Sequence, residues 1–92
     1  MPAQLPTDLE AFTLGLIWRH GPCTAYAVRK LMADSPSTQW SGSAGAIYPL
    51  VRRLDRRGWL RSAANRGDGR GTRTFVITDS GRRALKRWMG PP

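Results

Sequence analysis

The chain has 92 residues, 40% of them hydrophobic, with 15 Lys and Arg against 6 Asp and Glu, a net charge of +9 and a pI near 11.5. That length excludes more than one sizeable domain, because a domain this short buries only roughly 60–65% of its unfolded surface. With no apolar run near the ~18 residues that span a bilayer and no signal-peptide pattern, the chain reads as a soluble, cytoplasmic domain with no membrane partner.

Thr7-Asp-Leu-Glu10 fits a capping box, so a first helix is predicted from about Asp8 to His20. Leu9, Phe12, Leu16 and Ile17 mark its apolar face, which Leu14 and Trp18 widen. Gly21-Pro22 stops it, since proline biases the preceding residue out of helical geometry. Thr24 then caps a second helix over about Ala25 to Ala33, packed through Val28, Leu31 and Met32. Ser35-Pro36-Ser37-Thr38 breaks that helix, and Gln39-Trp40-Ser41 is predicted as a brief extended segment with Trp40 plugging the core.

A third helix is predicted from about Ala44 to Arg57, capped by Ser43 and ended by Gly58. Ile47, Leu50, Val51 and Leu54 recur at i, i+3, i+4 and i+7, which draws one apolar stripe. The opposite face carries Ala44, Tyr48 and Arg52, flanked by Arg53, Arg56 and Arg57. Pro49 removes a backbone donor, so a kink or a tight first turn is expected there. Trp59 to Ala64 and Thr72 to Thr78 read as two strands, and the glycine-rich stretch 65–71 joins them as a hairpin loop. Thr78 or Asp79 caps a last helix, about Ser80 to Met89, with Leu85, Trp88 and Met89 on one side and Arg82, Arg83, Lys86 and Arg87 on the other. The order predicts an α+β, mostly α domain: a single winged helix-turn-helix over residues 1–92, with a three-helix core, a hairpin wing and a short C-terminal helix.

The charge is unevenly placed. Between Arg52 and Arg87 lie twelve of the 15 cations, against Asp55, Asp68 and Asp79 alone. Arginine suits phosphate and guanine edges better than an ammonium does, so the implied partner is double-stranded DNA. Ser41, Ser43 and Ala44 are small enough to let a sugar-phosphate chain approach the start of the third helix. Unpaired amides there favour a phosphate. Tyr48 and Arg52, with Arg53 beside it, are placed to contact bases or phosphates in the major groove. On the wing, Arg66, Arg70 and Arg73 are placed to enter a minor groove or meet phosphates. A phosphate-binding-loop reading of 65–71 fails, because that loop lies between a strand and a helix and ends in Gly-Lys-Ser/Thr.

No carboxylate pair or nucleophile with a base is visible, so enzyme chemistry is not expected. One cysteine, Cys23, and one histidine, His20, leave no ligand set for a structural metal, and no cofactor is implied. Four tryptophans in so small a domain point to a subunit interface. A homodimer surface is expected on Phe12 and Trp18 of the first helix and Leu85, Trp88 and Met89 of the last. Two other readings stay open: a winged helix that contacts an acidic protein, and a sequence-neutral or RNA-binding basic module.

Three segments carry a family resemblance: His-Gly-Pro-Cys-Thr-Ala-Tyr at 20–26; Gly-Ala-Ile-Tyr-Pro-Leu at 45–50, with Arg53-Leu54 and Arg57-Gly58; and Phe-Val-Ile-Thr-Asp-Ser-Gly-Arg-Arg-Ala-Leu at 75–85. Together the chain resembles the PadR family of bacterial transcription regulators over about residues 12–88. The resemblance implies a dimeric winged-helix repressor that binds a palindromic operator, often its own promoter, and releases it when a small-molecule effector binds. Ala25 stands where the family usually has glycine, and Phe75 where it usually has tyrosine; both read as mild packing changes. Family members normally continue into long C-terminal helices that build the dimer, so a chain stopping at Pro92 reads either as a minimal version that dimerises through its first and last helices or as a truncated one.

Overall fold

A computed structural model describes residues 5–36, 44–64 and 73–90. Its elements run α1 (Asp8–His20), β1 (Cys23–Thr24), α2 (Ala25–Ala33), a 3-10 turn (Ala44–Ala46), α3 (Ile47–Arg57), β2 (Leu60–Ala64), β3 (Arg73–Ile77) and α4 (Asp79–Met89).

The starts of α1, α2 and α4 follow the capping chemistry read in the sequence, whereas α3 starts from Ala46 with no side-chain cap, and the expected cap Ser43 lies outside the described residues. Thr7 and Glu10 close a reciprocal capping box on α1, with Glu10 N–H donating to Thr7 Oγ1 at 3.2 Å and Thr7 N–H to Glu10 Oε1 at 2.9 Å. Thr24 caps α2 through Ala27 N–H at 3.0 Å, and Thr78 caps α4 through Gly81 N–H at 3.0 Å. The Thr78 hydroxyl also donates to Gly58 O at 2.6 Å, which ties the end of α3 to the start of α4. Gly58 ends α3 at φ 87°, a left-handed conformation that glycine adopts without a steric penalty. Pro49 sits in the first turn of α3, where its missing N–H leaves no helical bond unmade; the expected disturbance takes the form of the 3-10 turn just before it.

The strands form a three-stranded antiparallel sheet in the order β1-β3-β2. β2 and β3 pair from Leu60↔Ile77 to Ala64↔Arg73, as the predicted hairpin requires. β1 adds Cys23↔Phe75 and Thr24↔Thr74, a pairing the sequence reading does not contain. That reading places its short extended segment at 39–41, which lies outside the described residues, as does Trp40. A strand of this length has no alternation to detect. Thr24 is extended because it is also the cap of α2, with φ −79° and ψ 161°.

The core gathers Leu14 and Ile17 of α1, Val28 and Met32 of α2, and Ile47, Leu50, Val51 and Leu54 of α3. Trp59, Leu60, Phe75, Ile77, Ala84 and Leu85 complete it. The stripe predicted on α3 is buried in full. On α1 the buried face differs from the predicted one. Glu10, Ala11, Thr13, Leu14 and Ile17 face inward, while Leu9, Phe12 and Leu16 are half-buried and Trp18 is exposed. Apolar residues surround much of this helix, so its periodicity leaves the rotation to its neighbours α2, β3 and α4. Thr13 is buried without loss, because its hydroxyl donates to Leu9 O at 2.9 Å. Leu31 of α2, predicted in the packed set, is only half-buried.

Candidate nucleic-acid interface

With its aliphatic stripe sunk in the core, α3 must turn its other residues outward. Tyr48 is 43% exposed, one turn after the start of the 3-10 segment. Arg52 and Arg56 are exposed on the same side of the helix, one turn apart. Neither has an ion pair or hydrogen bond among the described residues. Arg56 belongs to this outer file as much as Arg52 does, although the predicted contact set omits it. Its position four residues beyond Arg52 is the available signal.

The flanks of α3 are held by its neighbours. On one side Arg53 Nε donates to Glu10 Oε2 at 3.2 Å, and Arg57 NH1 lies 3.6 Å from the same oxygen. Arg57 also stacks over the Trp59 ring, 4.7 Å from its centroid. On the other side Ser62 Oγ donates to Asp55 Oδ2 at 3.2 Å, and Arg73 NH1 donates to Ser62 Oγ at 3.3 Å. One bond chain thus links α3 to both strands of the hairpin. In the sequence Glu10 reads only as a cap; its role as the anchor of Arg53 and Arg57 is invisible there, because Glu10 and Arg53 are separated by 43 residues.

The remaining site residues fall as follows. Ala44 opens the 3-10 turn, and its carbonyl-side neighbours Gly45 and Ala46 are exposed. Ser41 and Ser43, with the wing arginines Arg66 and Arg70, lie outside the described residues. Arg73 is exposed at the start of β3. Of the expected partner surface, Trp18, Trp88 and Met89 are exposed, with Met89 at 59%. Leu85 is buried in the core instead, facing inward beside Ala84, and Phe12 is half-buried. Trp88 Nε1 donates to Asp8 Oδ1 at 3.2 Å, which joins α4 to the start of α1. Burial pushes the Cys23 thiol up from its ordinary value. Among the described residues no group of three His, Cys, Asp or Glu could hold a metal ion, and no helix is long and apolar enough to cross a membrane.

A three-helix body, a small sheet whose hairpin flanks the third helix, and a solvent-facing cationic side on that helix define a winged helix-turn-helix protein. The chain belongs to the transcriptional regulator PadR-like family, whose profile matches residues 13–87. It is thus a member of a family of transcriptional regulators rather than of enzymes. A PadR family transcriptional regulator from Eggerthella lenta is similar at 30% identity and a TM-score of 0.69, over 86% of this chain and 66% of that one. A PadR-like transcriptional regulator from Bacillus cereus matches at 25% identity and 0.76, over 100% and 52%. Bacillus subtilis PadR, solved in complex with operator DNA, shares the fold at 24% identity and 0.77, over 92% and 48%. The chain therefore spans between about half and just under two thirds of the length of these structures. No curated protein sequence matches it.

Proposed function

We propose that this protein is a sequence-specific DNA-binding regulator of transcription, a repressor that reads a palindromic operator as a homodimer. The observation that carries the reading is the division of α3: Ile47, Leu50, Val51 and Leu54 are buried while Tyr48, Arg52 and Arg56 stand in solvent. A helix anchored along one side and cationic along the other fits a major groove, which admits a single helix and displays a distinct donor and acceptor pattern for each base pair. The small residues Ala44 and Gly45, with Ser41 and Ser43 before them, allow the backbone close to a phosphate. Arg53 serves from the flank. Arg66, Arg70 and Arg73 serve the wing. The operator-bound Bacillus subtilis PadR supports the same use of the fold.

Two-fold operators are matched by two-fold proteins. Trp18, Trp88 and Met89 supply exposed apolar side chains on α1 and α4 for a second copy. The test is selection of bound duplexes from a random pool, followed by titration of the winner. A selected sequence with two-fold symmetry, bound at two chains per duplex, is the expected result. A pool that shows no enrichment, or a protein that binds no duplex at all, rejects the reading.

A further inference from the structure

We propose that Glu10 is a positioning residue for DNA binding: its carboxylate grips the Arg53 guanidinium by Nε, so that the far end of the fork is presented to a phosphate beside the groove. The inference rests on the DNA-binding reading above and adds a residue of α1 that no groove-facing pattern contains.

A buried carboxylate is costly unless it is paired and hydrogen-bonded. The Glu10 side chain is only 3% exposed, yet both its oxygens are engaged, from different directions. Oε1 accepts from Thr7 N–H at 2.9 Å and Oε2 from Arg53 Nε at 3.2 Å. The capping box accounts for one oxygen of Glu10 but not for the ion pair on the other, since replacing a buried ion pair by apolar packing is often neutral or stabilising. What the pair does supply is a fixed geometry between α1 and α3.

The two arginines at Glu10 differ in what they leave over. Arg57 is stacked on Trp59 and lies 3.6 Å from Oε2, so it balances the carboxylate from within the fold. Arg53 spends Nε on Glu10, and its side chain remains 49% exposed. The N–H donors on the outer edge of its planar fork point away from that bond and are the ones a phosphate can take. A guanidinium already held by one edge loses less rotamer freedom when the other edge binds. Arg53 also follows Arg52 directly in the helix, which sets it at the margin of the outward face, where a groove-bound helix meets the backbone.

The experiment is a double-mutant cycle on binding to the selected duplex, read by fluorescence anisotropy over a salt series, with Glu10→Gln, Arg53→Gln, the double variant and Arg53→Lys. A carboxamide has a single acceptor oxygen, so the Glu10→Gln side chain cannot serve both Thr7 N–H and Arg53 Nε. Arg53→Gln lowers the log–log salt slope by about 0.9, the loss of one phosphate contact. Glu10→Gln weakens binding about three- to tenfold although it removes a negative charge, as coupled neighbours do. The double variant binds no more weakly than Arg53→Gln alone. Arg53→Lys keeps the charge but has no fork to share between two anions, and it falls with Arg53→Gln.

Unchanged or tighter binding by Glu10→Gln, additive losses in the double variant, or an Arg53→Lys protein equal to the parent would each overturn the proposal. If circular dichroism shows Glu10→Gln unfolded, the comparison of Arg53→Lys with Arg53→Gln decides alone. A parent protein that binds no duplex removes the DNA-binding reading and this proposal with it. A parent that binds while the cycle is additive removes this proposal only.

Discussion

α3 and α4 are nearly the same helix on paper and differ in what surrounds them. Each has 11 residues, and each carries two cation pairs at the same spacing: Arg52, Arg53, Arg56 and Arg57 in one, Arg82, Arg83, Lys86 and Arg87 in the other. In α4 the first cation pair is answered locally, while Lys86 and Arg87 stand exposed in its last turn. Arg82 pairs with Asp79 three residues before it, Arg83 NH2 donates to Ser80 Oγ at 3.2 Å, and Thr78 and Asp79 close the first turn. In α3 the first turn holds no acid and the capping position, Ala46, makes no side-chain hydrogen bond. Its flanking cations are answered from α1, and Arg52 and Arg56 are answered by nothing among the described residues. A basic amphipathic pattern is therefore insufficient to identify a reading helix. The informative difference is a first turn with no acid and no side-chain cap, preceded by small residues, where the positive end of the dipole favours an anion.

The largest expected effect separates the two helices by their packing. A Cβ on Gly81, in the first turn of α4, would lie 2.2 Å from Trp59 O and 2.8 Å from Ile77 Cγ1. Trp59 O already accepts from Thr78 N–H at 3.1 Å, so this backbone is fixed and α4 must shift instead. Gly81→Ala should cost about 3 kcal/mol, at the upper end of ordinary overpacking, measured by urea denaturation. A variant as stable as the parent would show that α4 docks more loosely than its contact with Trp59 implies.

The next effect concerns binding. Arg52→Ala should weaken the selected duplex by about 1–3 kcal/mol if it reads a base, with specificity relaxed at that position. Arg87→Ala, at an exposed cation of the last helix, should change binding by no more than the roughly 0.5 kcal/mol typical of surface sites. Neither should alter the denaturation midpoint appreciably. Equal losses from the two variants would mean that the molecule presents a uniform cationic surface to DNA, and the distinction between the helices would collapse into net charge.

Much of this was legible in the sequence, for identifiable reasons. The threonine caps of α1, α2 and α4, the Gly58 stop and the stripe on α3 are local codes, and the described helices end where those codes place them, while α3 proper starts after a 3-10 segment and without the cap expected at Ser43. The hairpin was legible because the second strand is rich in β-branched and aromatic residues and a glycine-rich stretch precedes it. What escaped was set by contacts distant in sequence. β1 exists because Phe75 and Thr74 pair with Cys23 and Thr24 across the chain. The rotation of α1 follows its packing against α2, β3 and α4, with Glu10 meeting Arg53 across the chain, and Leu85 turns inward beside Ala84 in the core. Cations alike in sequence became distinct only once their partners were in place.

The smallest expected effect tests the open first turn directly, and its value lies in two opposite signs. Gly45 sits in the 3-10 turn before α3, is exposed, and a Cβ added there would meet nothing within 4 Å. Its φ is not in the positive range that disfavours side chains. Gly45→Ala should therefore leave the fold intact and raise stability by about 0.4–1 kcal/mol, because alanine restricts the unfolded chain more than glycine does. The same methyl would stand where a phosphate must approach the backbone amides, so affinity for the selected duplex should fall by roughly 1 kcal/mol, the scale of one lost hydrogen bond. Denaturation and anisotropy on a single preparation would give both numbers. A gain in stability with unchanged affinity would place the DNA backbone elsewhere and leave the outward arginines, rather than the start of the helix, as the determinant that separates α3 from α4.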